Sequence, residues 1–434
     1  MKVGFISLGC SKNLVVTEEM IGLFKKHGYT IVNDEKEAEV LIINTCGFID
    51  SAKQEGIDTI LEMANYKKEN CKYLIVTGCL VERYIEELEK ELPEVDLFIP
   101  INNYDELWQK IDNLVNNKQT VDKLNFHNRV ISTGDTMAYL KIAEGCSNYC
   151  TFCAIPYIQG KYISREYEDI LLEAEELAEK GISELVVIAQ DTTKYGTDLY
   201  GKSRLAELLG DLSKIEGIKW IRFLYSYPEN ITDELINVVK NNEKICNYFD
   251  IPIQHINDRI LKLMNRKSDG DSIRKLVKKI RKEIPDVIIR TTLIVGFPTE
   301  THEEFLELYE FVKEAKFDRL GAFSYSREEG TAASKIVNQI DDNIKEERKN
   351  KIMELQQDIS KEKMKEKIGK TYNVIIENMS DDGEYFIGRS YMDVPSEDGV
   401  IYVDYDDSIF INDYLDVLIY DGTEYDLYAK IIKK

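Results

Sequence analysis

The chain has 434 residues, of which 43% are hydrophobic and 31% are charged, so it can bury real cores and is not a disordered tail. At roughly 150 residues per domain, this length predicts two or three domains. The net charge of −23 argues against direct binding of a nucleic acid backbone and favours a small-molecule substrate or a basic protein partner. No uncharged stretch approaches the roughly 20 residues that span a bilayer, and no signal-peptide pattern is present, so we expect a cytoplasmic protein that does not contact the membrane.

The first third of the chain alternates short aliphatic runs with amphipathic stretches. Strands are predicted at Val3–Leu8, Val40–Asn44, Tyr73–Thr77 and Leu97–Ile101. Helices are predicted at Leu14–Lys26, Ser51–Asn65, Arg83–Leu92 and Tyr104–Val115. This βαβα order predicts a doubly wound parallel sheet in a domain of residues 1–130, followed by a polar linker over 116–134.

A second strand–helix alternation begins near Ala138 and predicts a domain of residues 135–368. Its strands are Tyr139–Ala143, Glu184–Ala189, Trp220–Leu224, Tyr248–Ile253, Val287–Val295 and Arg319–Tyr325. Its helices are Tyr167–Lys180, Leu205–Ile215, Asp233–Lys240, Asp271–Glu283 and Glu303–Glu314. Six such units predict a (βα)6 partial TIM-type barrel, a fold that places its chemistry at the carboxyl ends of its strands. A Lys/Glu-rich helix over Asp341–Ile368 would close this barrel or act as a strut.

Residues 369–434 change to an alternating, period-two pattern. Five short strands are predicted, at Tyr372–Glu377, Tyr385–Arg389, Val400–Tyr405, Tyr414–Tyr420 and Tyr425–Ile432. They predict a small antiparallel β-barrel of the OB type. Residues 366–434 contain 16 acidic and 6 basic side chains, so this end of the chain contributes −10 of the net charge.

Three of the eight cysteines lie in one short loop after the first barrel strand. Cys146, Cys150 and Cys153 form a Cys-x₃-Cys-x₂-Cys pattern, which can ligate three irons of a [4Fe-4S] cluster and leave the fourth iron open. The alternative is a zinc site, which usually needs four ligands in two pairs, and no second Cys or His pair follows. The pattern therefore favours an iron–sulfur cluster with one iron free to bind a cofactor.

This cysteine pattern at the end of a first barrel strand resembles the radical S-adenosylmethionine superfamily. The resemblance implies that the open iron chelates S-adenosylmethionine and that the cluster reduces it to a 5′-deoxyadenosyl radical. Two later segments, Gln190–Gly196 and Arg290–Thr299, end barrel strands where cofactor contacts are expected. The alternative for both segments is that they are ordinary strand ends with turn glycines.

Three more cysteines stand at equivalent places in the N-terminal domain. Cys10, Cys46 and Cys79 each follow a predicted strand, so their loops should open at the same carboxyl edge of the sheet. Small neighbouring residues such as Gly9 and Gly78 leave room for a bulky group. We therefore predict a second cluster, again with three cysteine ligands. Cys71 and Cys246 lack this register and are expected to be unliganded thiols.

The whole chain resembles the methylthiotransferase family of radical S-adenosylmethionine enzymes, whose C-terminal barrel is of the TRAM type. The motifs are Leu-Gly-Cys-Ser-Lys-Asn (8–13), Asn-Thr-Cys-Gly-Phe-Ile (44–49), Thr-Gly-Cys-Leu (77–80) and Glu-Gly-Cys-Ser-Asn-Tyr-Cys-Thr-Phe-Cys-Ala-Ile-Pro (144–156). This resemblance implies two [4Fe-4S] clusters and S-adenosylmethionine as cofactors, with the six cysteines as cluster ligands. It also implies a reductant protein of the flavodoxin or ferredoxin type.

Two branches of this family differ in substrate. Ala-Gln-Asp-Thr-Thr-Lys-Tyr-Gly (189–196) and the first two cysteine motifs resemble the RimO-like branch, which modifies an aspartate of small-subunit ribosomal protein S-twelve. The transfer-RNA branch usually has Gly-Cys-Gln-Met-Asn at the first cysteine. An acidic C-terminal domain would attract a basic ribosomal protein, although acidity also serves solubility.

The chain departs from the family pattern at two places. It has Val16-Thr17-Glu18 where Asp-Ser-Glu is common, and Gln159 where Arg is common, which leaves the roles of these side chains open. The implied reaction is insertion of a methylthio group at the unactivated β-carbon of the aspartate, in the free protein or within the ribosome. The alternatives are methylthiolation of a transfer-RNA adenosine and a non-catalytic iron–sulfur or zinc scaffold.

Overall fold

The computed structural model describes residues 1–432, and its N-terminal region is a five-stranded parallel sheet with helices on both faces. The strand order is β2-β1-β3-β4-β5. The elements are β1 (Lys2–Ser7), α1 (Ser11–Lys26), β2 (Thr30–Ile31), β3 (Val40–Thr45), α2 (Asp50–Ala64), β4 (Tyr73–Gly78), α3 (Cys79–Glu91), β5 (Leu97–Ile99) and α4 (Leu107–Asn116). The predicted doubly wound sheet is confirmed. The sequence does not predict the edge strand β2, because a strand of two residues is too short to show an alternation of apolar and polar side chains.

The central region is an arc of six parallel strands with its helices on the outer face. The strands pair as β10-β9-β6 and β11-β12-β13, and a parallel bridge from Ile221 to Ile245 joins the two halves. The elements are β6 (Met137–Lys141), β7 (Ala143–Glu144), α5 (Ile155–Ile158), β8 (Ile163–Ser164), α6 (Tyr167–Glu179), β9 (Glu184–Ile188), α7 (Thr197–Tyr200), α8 (Leu205–Leu212), β10 (Trp220–Phe223), α9 (Asp233–Asn241), β11 (Tyr248–Asp250), α10 (Asp258–Leu263), α11 (Gly270–Glu283), β12 (Ile288–Val295), α12 (His302–Ala315), β13 (Arg319–Ser324) and α13 (Asp342–Lys365). The predicted partial barrel is confirmed.

Alternation along the central strands separates two cores. Leu185, Val187, Ile221 and Phe223 face the helices, as is usual for a barrel of this kind. The opposite face of the same strands packs instead against the C-terminal region. That face carries a buried ion-pair network in which the Glu184 carboxylate accepts from Arg222 of β10 at 3.0 Å and Arg389 at 2.8 Å.

The C-terminal region is a closed barrel with strand order β14-β15-β16-β18-β17. The strands are β14 (Thr371–Met379), β15 (Tyr385–Arg389), β16 (Ile401–Asp404), β17 (Tyr414–Gly422) and β18 (Leu427–Ile431). The predicted small barrel is confirmed, with one addition: β16 and β18 pair in parallel, while the other four pairings are antiparallel. The long helix α13 packs on β13 and reaches this barrel, where Ser360 Oγ donates to Glu424 O at 2.6 Å.

The polar segment between the first two regions is anchored by a buried arginine. Arg129 donates to Glu18 Oε2 of α1 at 2.6 Å and to Glu173 Oε1 of α6 at 2.7 Å, and all three side chains are buried. The segment thus ties the N-terminal sheet to the central barrel. Within residues 1–432, every helix is too short or too polar to cross a lipid bilayer.

Candidate active site

The three N-terminal cysteines lie at the carboxyl ends of three adjacent strands. Cys10 follows β1, Cys46 follows β3, and Cys79 is the first residue of α3 after β4. The loops touch, because a Cβ on Gly9 would lie 2.6 Å from the Cβ of Cys46 and one on Gly47 would lie 2.8 Å from the carbonyl carbon of Cys79. Only glycines allow the strand ends to approach this closely.

The side chain of Asn13 joins these loops. Its Nδ2 donates to Leu8 O and to Thr45 O, each at 3.1 Å, and its Oδ1 lies 3.9 Å from Cys79 Sγ. Burial, and then the neighbouring Cys10 and Cys46, raise the pKa of Cys79 to about 12. Burial also raises the pKa of Cys46. A cationic centre is needed to hold such thiols as thiolates, and a metal cluster supplies one.

The second group of cysteines lies in the loop between β7 and α5. The Cys146 N–H donates to Gly160 O at 3.1 Å, and the Thr151 hydroxyl donates to Leu263 O at 2.8 Å, so the loop is fixed at two points. A Cβ on Gly145 would lie 2.2 Å from Lys161 O, which explains the glycine before the first cysteine. Burial raises the pKa of Cys146 to about 11 and also raises the pKa of Cys153.

Two residues from later loops of the barrel approach Cys150, Tyr227 after β10 and Arg266 after α10. Its Sγ lies 3.4 Å from the Tyr227 hydroxyl and 3.9 Å from Arg266 Nη1. The Arg266 guanidinium also stacks 4.2 Å above the Tyr227 ring, so the two side chains fix each other. Their contacts with a sulfur atom can stabilise its negative charge.

The segment Gln190–Gly196 supports the cysteine loop from β9. Asn148 Nδ2 donates to Asp191 Oδ2 at 2.8 Å, and Tyr162 OH donates to Asp191 O at 2.9 Å. Burial raises the pKa of Asp191, while its bonds from Thr193 and Asn148 oppose that rise. Within Arg290–Thr299, the Gly296 N–H donates to Glu300 Oε2 at 2.9 Å. The first segment thus contacts the cysteine loop through hydrogen bonds, and the second shares a hydrophobic cluster with Phe152 of that loop through Ile294 and Phe297.

The two cysteine groups meet across the interface between the N-terminal sheet and the barrel. Gln159 follows the barrel loop and points its Nε2 at Cys79 Sγ, 3.7 Å away. Its Oε1 accepts from Gln190 Nε2 at 2.8 Å. A side chain of one site therefore contacts a predicted ligand of the other.

The donors at both sites are cysteine thiols, which are the usual ligands of iron–sulfur clusters. All eight cysteines are free thiols. Among the residues described, no three His, Cys, Asp or Glu side chains converge on one metal ion. A [4Fe-4S] cluster does not require such convergence, because each cysteine binds a different iron. Cys71 and Cys246 lie apart as buried thiols, and Cys71 Sγ donates to Tyr73 O at 3.4 Å.

Several residues around these sites were missed from the sequence. Asn13 and Lys12 lie within the motif Leu-Gly-Cys-Ser-Lys-Asn (8–13), but the motif predicts a role only for its cysteine. Tyr227 and Arg266 carry no spacing signal, because the barrel fold alone brings them to Cys150. Gln159 departs from the family pattern, and the sequence predicts no contact for it.

Comparison with known proteins assigns the three regions. Residues 2–100 match "Uncharacterized protein family UPF0004", residues 140–312 match the Radical SAM superfamily, and residues 368–432 match the TRAM domain. The chain is 61% identical to the ribosomal protein uS12 methylthiotransferase RimO of Alkaliphilus oremlandii, covering 99% of each chain. It is 49% identical to the enzyme of the same name from Acetivibrio thermocellus, covering 100% of this chain and 99% of the relative.

A solved structure agrees on the fold. The radical S-adenosylmethionine methyltransferase TsrM from Kitasatospora setae superposes with a TM-score of 0.56 at 11% identity, covering 74% of each chain. At this identity the likeness concerns the architecture alone.

Proposed function

This chain belongs to the RimO family of ribosomal protein uS12 methylthiotransferases, and we propose that it inserts a methylthio group at the β-carbon of an aspartate of uS12. The observation that carries the proposal is the full-length likeness, at 61% and 49% identity, to enzymes of that name. The N-terminal sheet, the central barrel and the acidic C-terminal barrel correspond, in the same order along the chain, to the regions that match UPF0004, the Radical SAM superfamily and the TRAM domain.

Cys146, Cys150 and Cys153 would hold the [4Fe-4S] cluster that binds S-adenosylmethionine, and Cys10, Cys46 and Cys79 would hold a second, auxiliary cluster. When bound, these groups supply the radical that removes an unactivated hydrogen and the sulfur that replaces it. The proposal for the auxiliary cluster is supported by the meeting of three strand-end loops and by the glycines that leave no room for a side chain.

The chain's own residues prepare these sites. Tyr227 and Arg266 would direct donors at Cys150 Sγ, and Asp191 would keep the loop in place through Asn148. Asn13 would keep the three N-terminal loops in register. The short contact between Gln159 and Cys79 supports a reaction in which both sites act on one substrate.

We propose a division into residues 1–130, 135–368 and 369–434. The proposal is supported by the element bounds, since α4 ends at Asn116, β6 begins at Met137, α13 ends at Lys365 and β14 begins at Thr371. The C-terminal barrel, with its charge of −10 over residues 366–434, would attract the basic substrate protein. A flavodoxin or ferredoxin would supply the electrons.

Mass spectrometry of uS12 tests the function. Anaerobically reconstituted protein, S-adenosylmethionine, a chemical reductant and purified uS12 should yield uS12 heavier by one sulfur and one methylene group, located on an aspartate. Transfer RNA treated in the same way should stay unchanged. Modification of transfer RNA in place of uS12 would contradict the proposal.

Iron and sulfide analysis tests the auxiliary cluster separately. Two [4Fe-4S] clusters require about eight irons and eight sulfides per chain, whereas one cluster requires about four of each. The Cys10→Ala variant should therefore contain about four fewer irons and about four fewer sulfides per chain than wild type. Equal iron content in wild type and variant would remove the auxiliary cluster from the proposal.

A further inference from the structure

Lys12 places a buried ammonium group beside the N-terminal cysteine site without a carboxylate partner. It lies in the first turn of α1, two residues after Cys10, and its exposed fraction is 7%. Its Nζ sits 3.6 Å from the centre of the Tyr225 ring. Among residues 1–432, no carboxylate oxygen lies within 4.0 Å of Lys12 Nζ, the distance that defines an ion pair. Asp250 is near, but its carboxylate accepts from the Tyr225 N–H at 2.8 Å. Buried charges are normally paired, so this arrangement lacks an anion.

A second donor beside Lys12 lacks a hydrogen-bond partner. The hydroxyl oxygen of Ser11 is buried and has no hydrogen-bond partner among the described residues. The same helix end has no side-chain cap, and its first turn contains no acidic residue. The unpaired N–H groups and dipole of a helix N-terminus add to the preference for a negative charge.

The Ser11 hydroxyl, and the Tyr225 ring against which Lys12 packs, border a cavity at the junction of all three regions. The cavity has a volume of about 730 Å³ and is lined by Cys10, Ser11 and Tyr225, and also by Glu377 and Glu397 of the C-terminal region. Each of these glutamates is bonded to an arginine, Arg389 or Arg290. Lys12 is not part of this wall, but its ammonium lies against the ring of the lining residue Tyr225, so an ammonium stands directly behind the acidic groups. This combination suits a basic protein segment that carries a single carboxylate.

We propose that Lys12, assisted by the Ser11 hydroxyl, binds the side-chain carboxylate of the target aspartate and so selects a carboxylate-bearing substrate. This inference rests on the proposed function, which supplies the aspartate. The ammonium lies next to Cys10, so a carboxylate held there has its β-carbon close to the auxiliary site.

A structural role for Lys12 makes a different prediction. Tyr225 has a φ of 62°, in the left-handed region, and Lys12 could serve only to hold its ring. A lysine that only supports Tyr225 or the auxiliary cluster would affect iron content or thermal stability. It would not change how the enzyme distinguishes aspartate from asparagine at the target position.

The test compares uS12 with uS12 whose target aspartate is replaced by asparagine. Reconstituted wild type, Lys12→Met, Lys12→Arg and Lys25→Met are assayed for methylthiolation kcat/KM, with iron content and Tm measured in parallel. Lys25→Met is the matched control, because Lys25 is exposed at the other end of α1.

Removing one partner of a buried charge pair weakens binding by at least about 30-fold. Lys12→Met should lower kcat/KM for the aspartate substrate by that factor and leave the asparagine substrate unaffected, while Lys12→Arg should retain part of the preference.

The outcomes separate the inference from the function on which it rests. Wild type that leaves uS12 unmodified overturns the proposed function and this inference with it. Wild type that modifies uS12 while Lys12→Met keeps the same preference overturns the inference alone. If Lys12→Met fails to fold or loses iron, the wild-type preference decides: less than about tenfold discrimination between aspartate and asparagine overturns the assignment.

Discussion

The two cysteine sites of this protein are built in opposite ways. Cys146, Cys150 and Cys153 lie within one loop, and nearby backbone groups such as Gly160 O fix that loop. Cys10 and Cys79 are separated by two strand–helix units and meet only because β1, β3 and β4 are neighbours in the sheet. One site is therefore a property of a short sequence, and the other is a property of a folded domain.

This difference has a consequence for stability. A loop site needs the barrel strands that support it, such as the β9 end that holds Asn148 through Asp191. A site at three strand ends needs the sheet register and also the docking of α1, which starts at Cys10's neighbour Ser11. We expect the N-terminal site to be the first to fail when the regions separate.

Replacing one cysteine in each site should give the largest and most distinct effects. Cys153→Ala should abolish cleavage of S-adenosylmethionine to 5′-deoxyadenosine, because the proposed radical chemistry depends on the cluster that Cys153 would help to hold. Cys46→Ala should spare this cleavage and stop methylthio transfer. Both products are quantified by mass spectrometry in one reaction.

Cys71→Ala is the control for these variants, because Cys71 is buried outside both sites. It should retain cleavage and transfer. Methylthiolated uS12 from the Cys46→Ala protein would contradict the sulfur-transfer role of the N-terminal site.

Undocking α1 should affect the assembled site more than the loop site. Arg129→Met leaves Glu18 and Glu173 buried with one cationic partner fewer, and breaking a buried network of this kind costs about 3–5 kcal/mol. We expect a lower free energy of unfolding by denaturant, and loss of iron from the Cys10, Cys46 and Cys79 site before the other.

Lys275→Met is the control for this change. Lys275 pairs with Asp271 on the exposed face of α11, and exposed pairs of this kind contribute little to stability. If Arg129→Met unfolds at the same denaturant concentration as wild type, the buried network does not hold the two regions together.

The difference between the two sites also explains which of their residues can be predicted from the sequence. The loop site was predictable because three cysteines at fixed spacing are visible in one line of sequence. The N-terminal site was predictable because each cysteine follows a predicted strand, and parallel strands share an edge. The contact of Lys12 with Tyr225 and that of Gln159 with Cys79 depend on how two domains dock. No local period or spacing encodes such docking, so these residues received no role.

The contact between the two sites should give the smallest effect and the finest test of the comparison. Gln159 donates to Cys79 Sγ at 3.7 Å, and hydrogen bonds to cluster sulfurs raise the reduction potential. A bond of about 1 kcal/mol corresponds to about 40 mV for a one-electron couple. Gln159→Leu should therefore lower the midpoint potential of the proposed auxiliary cluster by about that amount in an EPR-monitored titration, and Gln159→Arg should raise it. Gln190→Leu, which removes only the bond to Gln159 Oε1, should shift the potential less. A shift confined to the cluster at Cys146, Cys150 and Cys153 would show that Gln159 acts within its own loop and does not join the sites.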